Sequence, residues 1–330
     1  MMHPETPCEC RSTRSSRWKS PFAILTLALL AILTSGCSAV PFSDRSPEAS
    51  LRRGDSLLRS GDRIGALEAY TRAIEDTDSA DAYHRRSRAH AMLGEHEAAV
   101  FDATQALRRD PQRIDAYWDR SVSRRELGEH RGVIRDCTSI LRSDPTQVRA
   151  WYARGLARAA VGESKGAIDD LTRVLELDPS NETVHFDRGL AALHGGDYER
   201  AIADIGVVLE RTPGDREAHV TRGRARLWSG DLDGANQDFA GAIELAPDLS
   251  LVYLNKAIRR LSENETCDAI IESATAIAIG PAVADAFYVR GLAKSLRNDN
   301  DGAIADFSLA VQQDPNHRAA KERLAEHSYR

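Results

Sequence analysis

The stretch WYARGLARAAVGESKGAIDDLTRVLELDP, residues 151–179, holds in one copy the pattern that decides the fold of this chain. Apolar residues recur in it at three- and four-residue spacing, as in Ala167, Ile168, Leu171, Val174 and Leu175, the mark of an amphipathic helix. Gly162 stands between two such runs and supplies the left-handed cap that ends the first helix. Asp178-Pro179 ends the second, because proline cannot donate the helical hydrogen bond and disfavours helix in the residue before it. Small residues at Gly155 and Ala167 let the two helices approach closely.

Outward from this stretch the same text returns at a fixed period. Pro111, Pro145, Pro179, Pro213, Pro247, Pro281 and Pro315 stand 34 residues apart without a slip. A small residue recurs at Gly54, Ser87, Ser121, Gly155, Gly189, Gly223, Ala257 and Gly291, and a turn residue follows seven places later, from Gly61 and Gly94 to Asn264 and Asn298. Eight copies are expected: 47–79, 80–113, 114–147, 148–181, 182–215, 216–249, 250–283 and 284–317. The first is one residue short and has Asp78 in the place of the proline. A single helix pair cannot bury its apolar face, so such copies stack, each contacting mainly its neighbours. Residues 318–330 carry Ala319, Ala320 and Leu324 on one side and Lys321, Glu322 and Arg323 on the other, which predicts a capping helix.

Trp151-x2-Arg154-Gly155, Gly162, Ala167 and Asp178-Pro179 resemble the tetratricopeptide repeat, and the resemblance covers nearly all of the chain after residue 46. It implies an all-α, right-handed superhelical solenoid of about eight tandem helix-turn-helix repeats. Two positions depart from the family pattern. The usual Leu before the Gly is basic in every copy, and the usual Tyr three residues after it is mostly Arg124, Arg158, Arg226, Arg260 or Lys294.

The amino terminus reads differently. Arg11, Arg14, Arg17 and Lys19 precede an apolar run, Phe22 to Leu33, and Thr34-Ser35-Gly36-Cys37 follows. The run suits a signal-peptide core and falls short of the ~20 residues a spanning helix needs. The small residues before Cys37 resemble a bacterial lipobox, although Thr34 stands where Leu is commoner. That resemblance implies removal of residues 1–36, a lipid on Cys37, a short linker over 37–46, and membrane attachment through the lipid only. An ordinary secretory signal is the alternative. By the sorting rule of enteric bacteria, Ser38 after the cysteine implies the outer membrane, facing the periplasm.

Charge and cysteine content exclude several classes. Removing residues 1–36 takes four basic and two acidic residues from 44 and 50, leaving 40 against 48, a net of −8. The basic residues sit in rows matched by acidic rows, unlike the one-sided basic face that a nucleic acid demands. Cys137 and Cys267 lie almost four copies apart, too far for a disulfide. No metal spacing, phosphate loop, dinucleotide fingerprint or nucleophile elbow is present, so no catalytic residue, cofactor or small-molecule substrate is expected.

The matched rows are the most specific chemistry in the chain. Each base stands about eight residues before the turn and each acid about eight after it, which should place them side by side on antiparallel helices. The expected pairs are Arg86 with Asp102, Arg120 with Asp136, Arg154 with Asp170, Arg188 with Asp204, Arg222 with Asp238, Lys256 with Glu272 and Arg290 with Asp306. The Lys256–Glu272 exchange argues for pairing within a copy. A structural ladder that fixes helix register is one reading, and a charged relay the other.

For binding, the resemblance implies that the first helices line the concave face. One row there includes Trp118, Tyr152, Phe186 and Tyr288, with Leu156 and Leu190 one turn on. It would suit a protein or peptide partner, or else these residues pack between neighbouring helices. The resemblance places a second row, Tyr83, Tyr117, Trp151, His185, His219, Tyr253 and Phe287, in the core. Three functions follow: a lipid-anchored envelope scaffold holding a partner in its groove, a self-associating spacer, or an accessory subunit of an export or signalling complex. The oligomeric state is left open.

Overall fold

The computed structural model describes residues 46–280 and 283–328, and among these every regular element is an α-helix. In chain order they are α1 (Pro47–Arg59), α2 (Arg63–Thr77), α3 (Ala80–Met92), α4 (His96–Arg109), α5 (Ile114–Glu126), α6 (His130–Ser143), α7 (Val148–Ala160), α8 (Ser164–Leu177), α9 (Thr183–Gly195) and α10 (Tyr198–Arg211). There follow α11 (Arg216–Ser229), α12 (Leu232–Leu245), α13 (Leu249–Ser262), α14 (Thr266–Ile279), α15 (Val283–Leu296), α16 (Asn300–Gln313) and α17 (Arg318–Ser328). None is long and apolar enough to cross a membrane. Residues 1–45, with Cys37 and the leader, lie outside the described residues.

The punctuation of the chain sets these lengths. The turn between the helices of each pair passes through positive φ, at six glycines and at Asn264 and Asn298, where an ordinary side chain would be strained. After the second helix, aspartate and proline act together. Asp110, Asp144, Asp178 and Asp314 each accept, through Oδ1, the backbone N–H two residues on, at 2.9–3.2 Å, so the carboxylate bridges the proline that stops the helix.

Each helix packs on the one before and the one after, giving an all-α helical repeat solenoid. Its core is a spine of small residues: Ala66, Ala99, Ala167, Ala201, Ala235, Ala269 and Ala303 are all fully buried. Close approach is enforced at the small position of the first helices. A Cβ on Gly155 would sit 3.0 Å from the Leu171 side chain, and one on Gly291 only 2.6 Å from the Phe307 ring. First helices of neighbouring pairs also touch, as α3 touches α5 and α7 touches α9, so they form the inner face of the curve.

Candidate functional site

Six rungs of the ladder are present. Asp102, Asp136, Asp170, Asp204, Asp238 and Asp306 are buried. Each accepts a two-pronged bond from the Nε and Nη2 of its own copy's arginine, at 2.6–3.1 Å. The planar fork matches the carboxylate, so it fixes the angle of the helix pair as well as its register. The seventh rung needs correction. Lys256 and Glu272 form no ion pair; the ammonium lies over the Tyr253 ring, 4.7 Å from its centroid. Lysine has a point charge and no fork, and here its side chain is exposed, so water satisfies it at less cost.

Two further partners complete the rungs. The basic residues that displace the family's tyrosine reach the same acids: Arg124 to Asp136 at 2.7 Å, Arg158 to Asp170 at 2.9 Å, Arg226 to Asp238 at 2.9 Å and Lys294 to Asp306 at 2.8 Å. The other partner lies in the preceding copy. Arg86, Arg120, Arg154 and Arg188 donate through Nη1 to Thr71, Thr104, Thr138 and Thr172 at 3.0–3.1 Å. These four arginines therefore staple adjacent copies together. The threonine row ends there, since its later positions are Gly206, Ala240 and Ala274.

The second aromatic row lies at the margin of the core: Phe287 is buried within it, as expected, whereas Tyr83, Tyr117, Trp151 and Tyr253 are half-buried against it. Trp151 is half-buried, its indole donates to the Pro145 carbonyl at 2.8 Å, and the Arg154 guanidinium lies 4.6 Å over its ring. Tyr117 and Phe287 stack in the same way under Arg120 and Arg290. The row is a set of cation–π platforms for the ladder.

On the inner face, Trp118, Tyr152, Phe186, Leu156 and Leu190 are all half-buried. Trp118 lines a cavity of about 370 Å³ with His84, Arg88, Asp119 and Arg149, between α3, α5 and α7. Tyr152 and Phe186 line another of about 420 Å³, with Asp187, Val207 and Val208. The Tyr152 hydroxyl donates to Asp187 at 2.6 Å, and burial together with that carboxylate pushes its pKa up to about 12.

Tyr288, placed in the same row by its position, is closed off, and that expectation is corrected. It is 3% exposed, its ring lies 4.9 Å from that of His317, and Arg323 of α17 bonds to it. The reason is that α17 packs against α9 and α11 as well as α16. His317 stacks on Trp228 with ring centroids 4.3 Å apart. Asp285 is the hub beneath: it accepts from Trp228 Nε1 at 2.9 Å and lies 3.0 Å from Arg224 Nε and 3.3 Å from His317 Nε2. Burial pushes the Asp285 carboxyl up, but Arg224 and His317 outweigh it and hold it well below the usual carboxylate range. Arg224 also pairs with Asp314 at 2.8 Å. Thus α17 seals Tyr288, Trp228 and Asp285, while a cavity of about 540 Å³ stays open beside them between α11, α13 and α15, lined by Val220, Arg224, Leu251 and Leu254.

Cys137 is fully buried, and burial pushes its thiol up to about 12, so it is an inert core residue. Among the described residues no cluster of His, Cys, Asp or Glu is arranged to hold a metal ion.

A family model described as tetratricopeptide repeat matches residues 51–114, 152–215 and 186–250. Among solved structures, a tetratricopeptide repeat protein from Parabacteroides merdae is 18% identical over 76% of this chain and 99% of its own, with a TM-score of 0.50. The carboxyl-terminal part of a repeat-containing protein from Cytophaga hutchinsonii is 17% identical over 83% of this chain and 99% of its own, also at 0.50. YrrB, described as having an unusual peptide-binding site, is 22% identical over 56% of this chain and 96% of its own, at 0.50. Curated proteins include no significant match.

Proposed function

Since the chain is a tetratricopeptide repeat protein, a family of typically non-catalytic interaction scaffolds, we propose that it holds a peptide or helical segment of a partner protein on its inner face between α3 and α9. The observation that carries this reading is the contrast along one aromatic row of that face. Trp118, Tyr152 and Phe186 stay half-buried beside two cavities, whereas Tyr288 at the equivalent position is sealed under α17. An already formed surface need not be ordered by its ligand, and large aromatic anchors dominate such interfaces.

The test is a paired measurement of helicity and partner capture, by crosslinking in the native envelope, on Trp118→Ala and Phe186→Ala. Weaker capture with unchanged helicity supports the reading. Lost helicity makes the row a packing element. Unchanged binding moves the interaction to the outer face, where Ile64 and Phe101 are 67% and 58% exposed. Gel filtration separates the scaffold from the self-associating spacer.

The reading includes a lipid on Cys37 that holds the array at the bacterial cell envelope, on the periplasmic side of the outer membrane. Its support is the basic–apolar–small succession before that cysteine. Intact mass of the mature protein tests it: residues 1–36 absent, with the lipid lost in Cys37→Ala. An unmodified Cys37 would refute it.

A further inference from the structure

Two aspartates share one repeat position on the inner face, Asp119 on α5 and Asp187 on α9, and their surroundings differ in one respect. Asp119 lies 2.7 Å from His84 Nε2 and 3.8 Å from Arg88 Nε. The residues in the same relation to Asp187 are Tyr152 and Leu156, a hydroxyl in place of the imidazole and an alkyl chain in place of the guanidinium. Asp187 therefore receives one bond, from the tyrosine, and among the described residues no cation pairs with it. This is unlike the rest of the molecule, where Asp102, Asp136, Asp170, Asp204, Asp238, Asp285 and Asp306 are buried and every one has a cation at hand.

The surroundings of Asp187 have the shape of a receptor. It opens into the cavity of about 420 Å³ whose walls include Tyr152, Phe186, Val207 and Val208. The two basic side chains that also line it are engaged elsewhere, Arg211 with Glu182 and His185 with Asp204. Burial raises the Asp187 carboxyl, and the Tyr152 bond offsets that only in part. A half-buried carboxylate without a counter-ion costs free energy in the empty array, and an arriving cation would relieve that cost.

Taking the groove reading of the previous subsection as its basis, we propose that this cavity is a subsite for a cationic side chain, lysine or arginine, of the partner peptide. The alkyl stem of that side chain packs against Phe186 and Val208, and its head group meets Asp187 beside the faces of the two rings. Copy four thus leaves to the partner the charge that Arg88 supplies internally to Asp119.

The probe is a set of blocked octapeptides in an alanine–leucine background with one position varied among arginine, lysine, norleucine and glutamate, titrated against the full chain. The arginine or lysine member should bind at least tenfold tighter than the norleucine member. That preference should vanish in Asp187→Asn, and also in Leu156→Arg, which restores in cis the cation seen at Asp119. Circular dichroism checks both variants, and if one fails to fold the other carries the test. Binding indifferent to charge at every position, or a preference kept by both variants, overturns the subsite, while sensitivity to Phe186→Ala would leave the groove reading standing. An array that captures no peptide of any charge defeats both.

Discussion

Replacing Asp170 by alanine removes one carboxylate and isolates two guanidinium groups. Asp170 is 1% exposed, accepts from Arg154 at 2.9 and 2.8 Å, and forms an ion pair with Arg158 at 2.9 Å. Arg158 is only half-buried and can turn toward Glu163, 3.8 Å away, so its loss is small. Arg154 is 8% exposed and keeps only Thr138 at 3.1 Å and the Trp151 ring. A buried ion pair adds little over a well-packed apolar pair, but breaking one side strands a charge, at about 3–5 kcal/mol. We therefore expect Asp170→Ala to cost about 3–5 kcal/mol and the Arg154→Met, Asp170→Ala double variant to recover about 2 kcal/mol of it. Glu272→Ala, on the rung that carries no ion pair, should stay within about 0.5 kcal/mol of wild type. The assay is native-state hydrogen exchange on α7 and α8 with urea titration, because a long array need not unfold in two states. A single-variant cost under about 1 kcal/mol, or a double variant as damaged as the sum of its parts, would refute the ladder's role.

Three further outcomes are expected. Gly206→Thr should stabilise by about 1 kcal/mol: a Cβ there meets nothing within 4 Å, helix propensity improves, and the hydroxyl extends the threonine row to Arg222; a lower urea midpoint would contradict it. Gly291→Ala should cost about 1–3 kcal/mol by forcing the Phe307 ring off its seat, read as faster exchange in α15 and α16. Asp187 has a raised folded pKa, so its folded carboxyl binds a proton more readily than the unfolded one. Its charged form weakens the fold as pH rises above about 4, and acidification from pH 7 should steady α7–α9 in wild type but less so in Asp187→Asn. Glu182, His185, Arg211 and Asp215 line the same cavity and titrate or carry charge in both proteins, so the difference between the two curves isolates Asp187.

Local text was the most legible. The seven prolines, the turn row and the small-residue row specify where helices begin, end and touch, because each acts within one copy, and the base–acid rows follow from the same register. What stayed hidden depended on the next copy or on the far end. The threonines that accept from Arg86 to Arg188 are marked by the same period, yet nothing in one copy says a hydroxyl on the preceding helix faces the guanidinium. The basic residues in the family's tyrosine position stood out as departures; their meaning required the second prong at each acid. The Lys256–Glu272 exchange is misleading because it is no compensation: the ammonium lies over the Tyr253 ring and forms no ion pair with Glu272. The amphipathic pattern of α17 was plain, but its seat against Trp228 depends on the accumulated curvature of several copies, and that placed Tyr288 out of reach.

The seating of α17 on α9 and α11 changes how the molecule comes apart. Units that touch only their neighbours unfold from either end, with stability a sum of local terms. Here α11 is tied to residues 57 and 90 positions away, Trp228 to Asp285 and Arg224 to Asp314, and Tyr198 reaches Glu322 across 124. From the amino end, helix pairs can detach one at a time. From the other end nothing can leave until the hub at Asp285 opens, and then several pairs lose their restraint together. Closing so long a loop costs chain entropy and belongs late in folding, after the local pairs have formed. Growth is constrained in the same way. A copy inserted between α12 and α15 would carry His317 away from Trp228, whereas one added before α3 would leave that contact untouched, so this array is free to lengthen at its amino end alone.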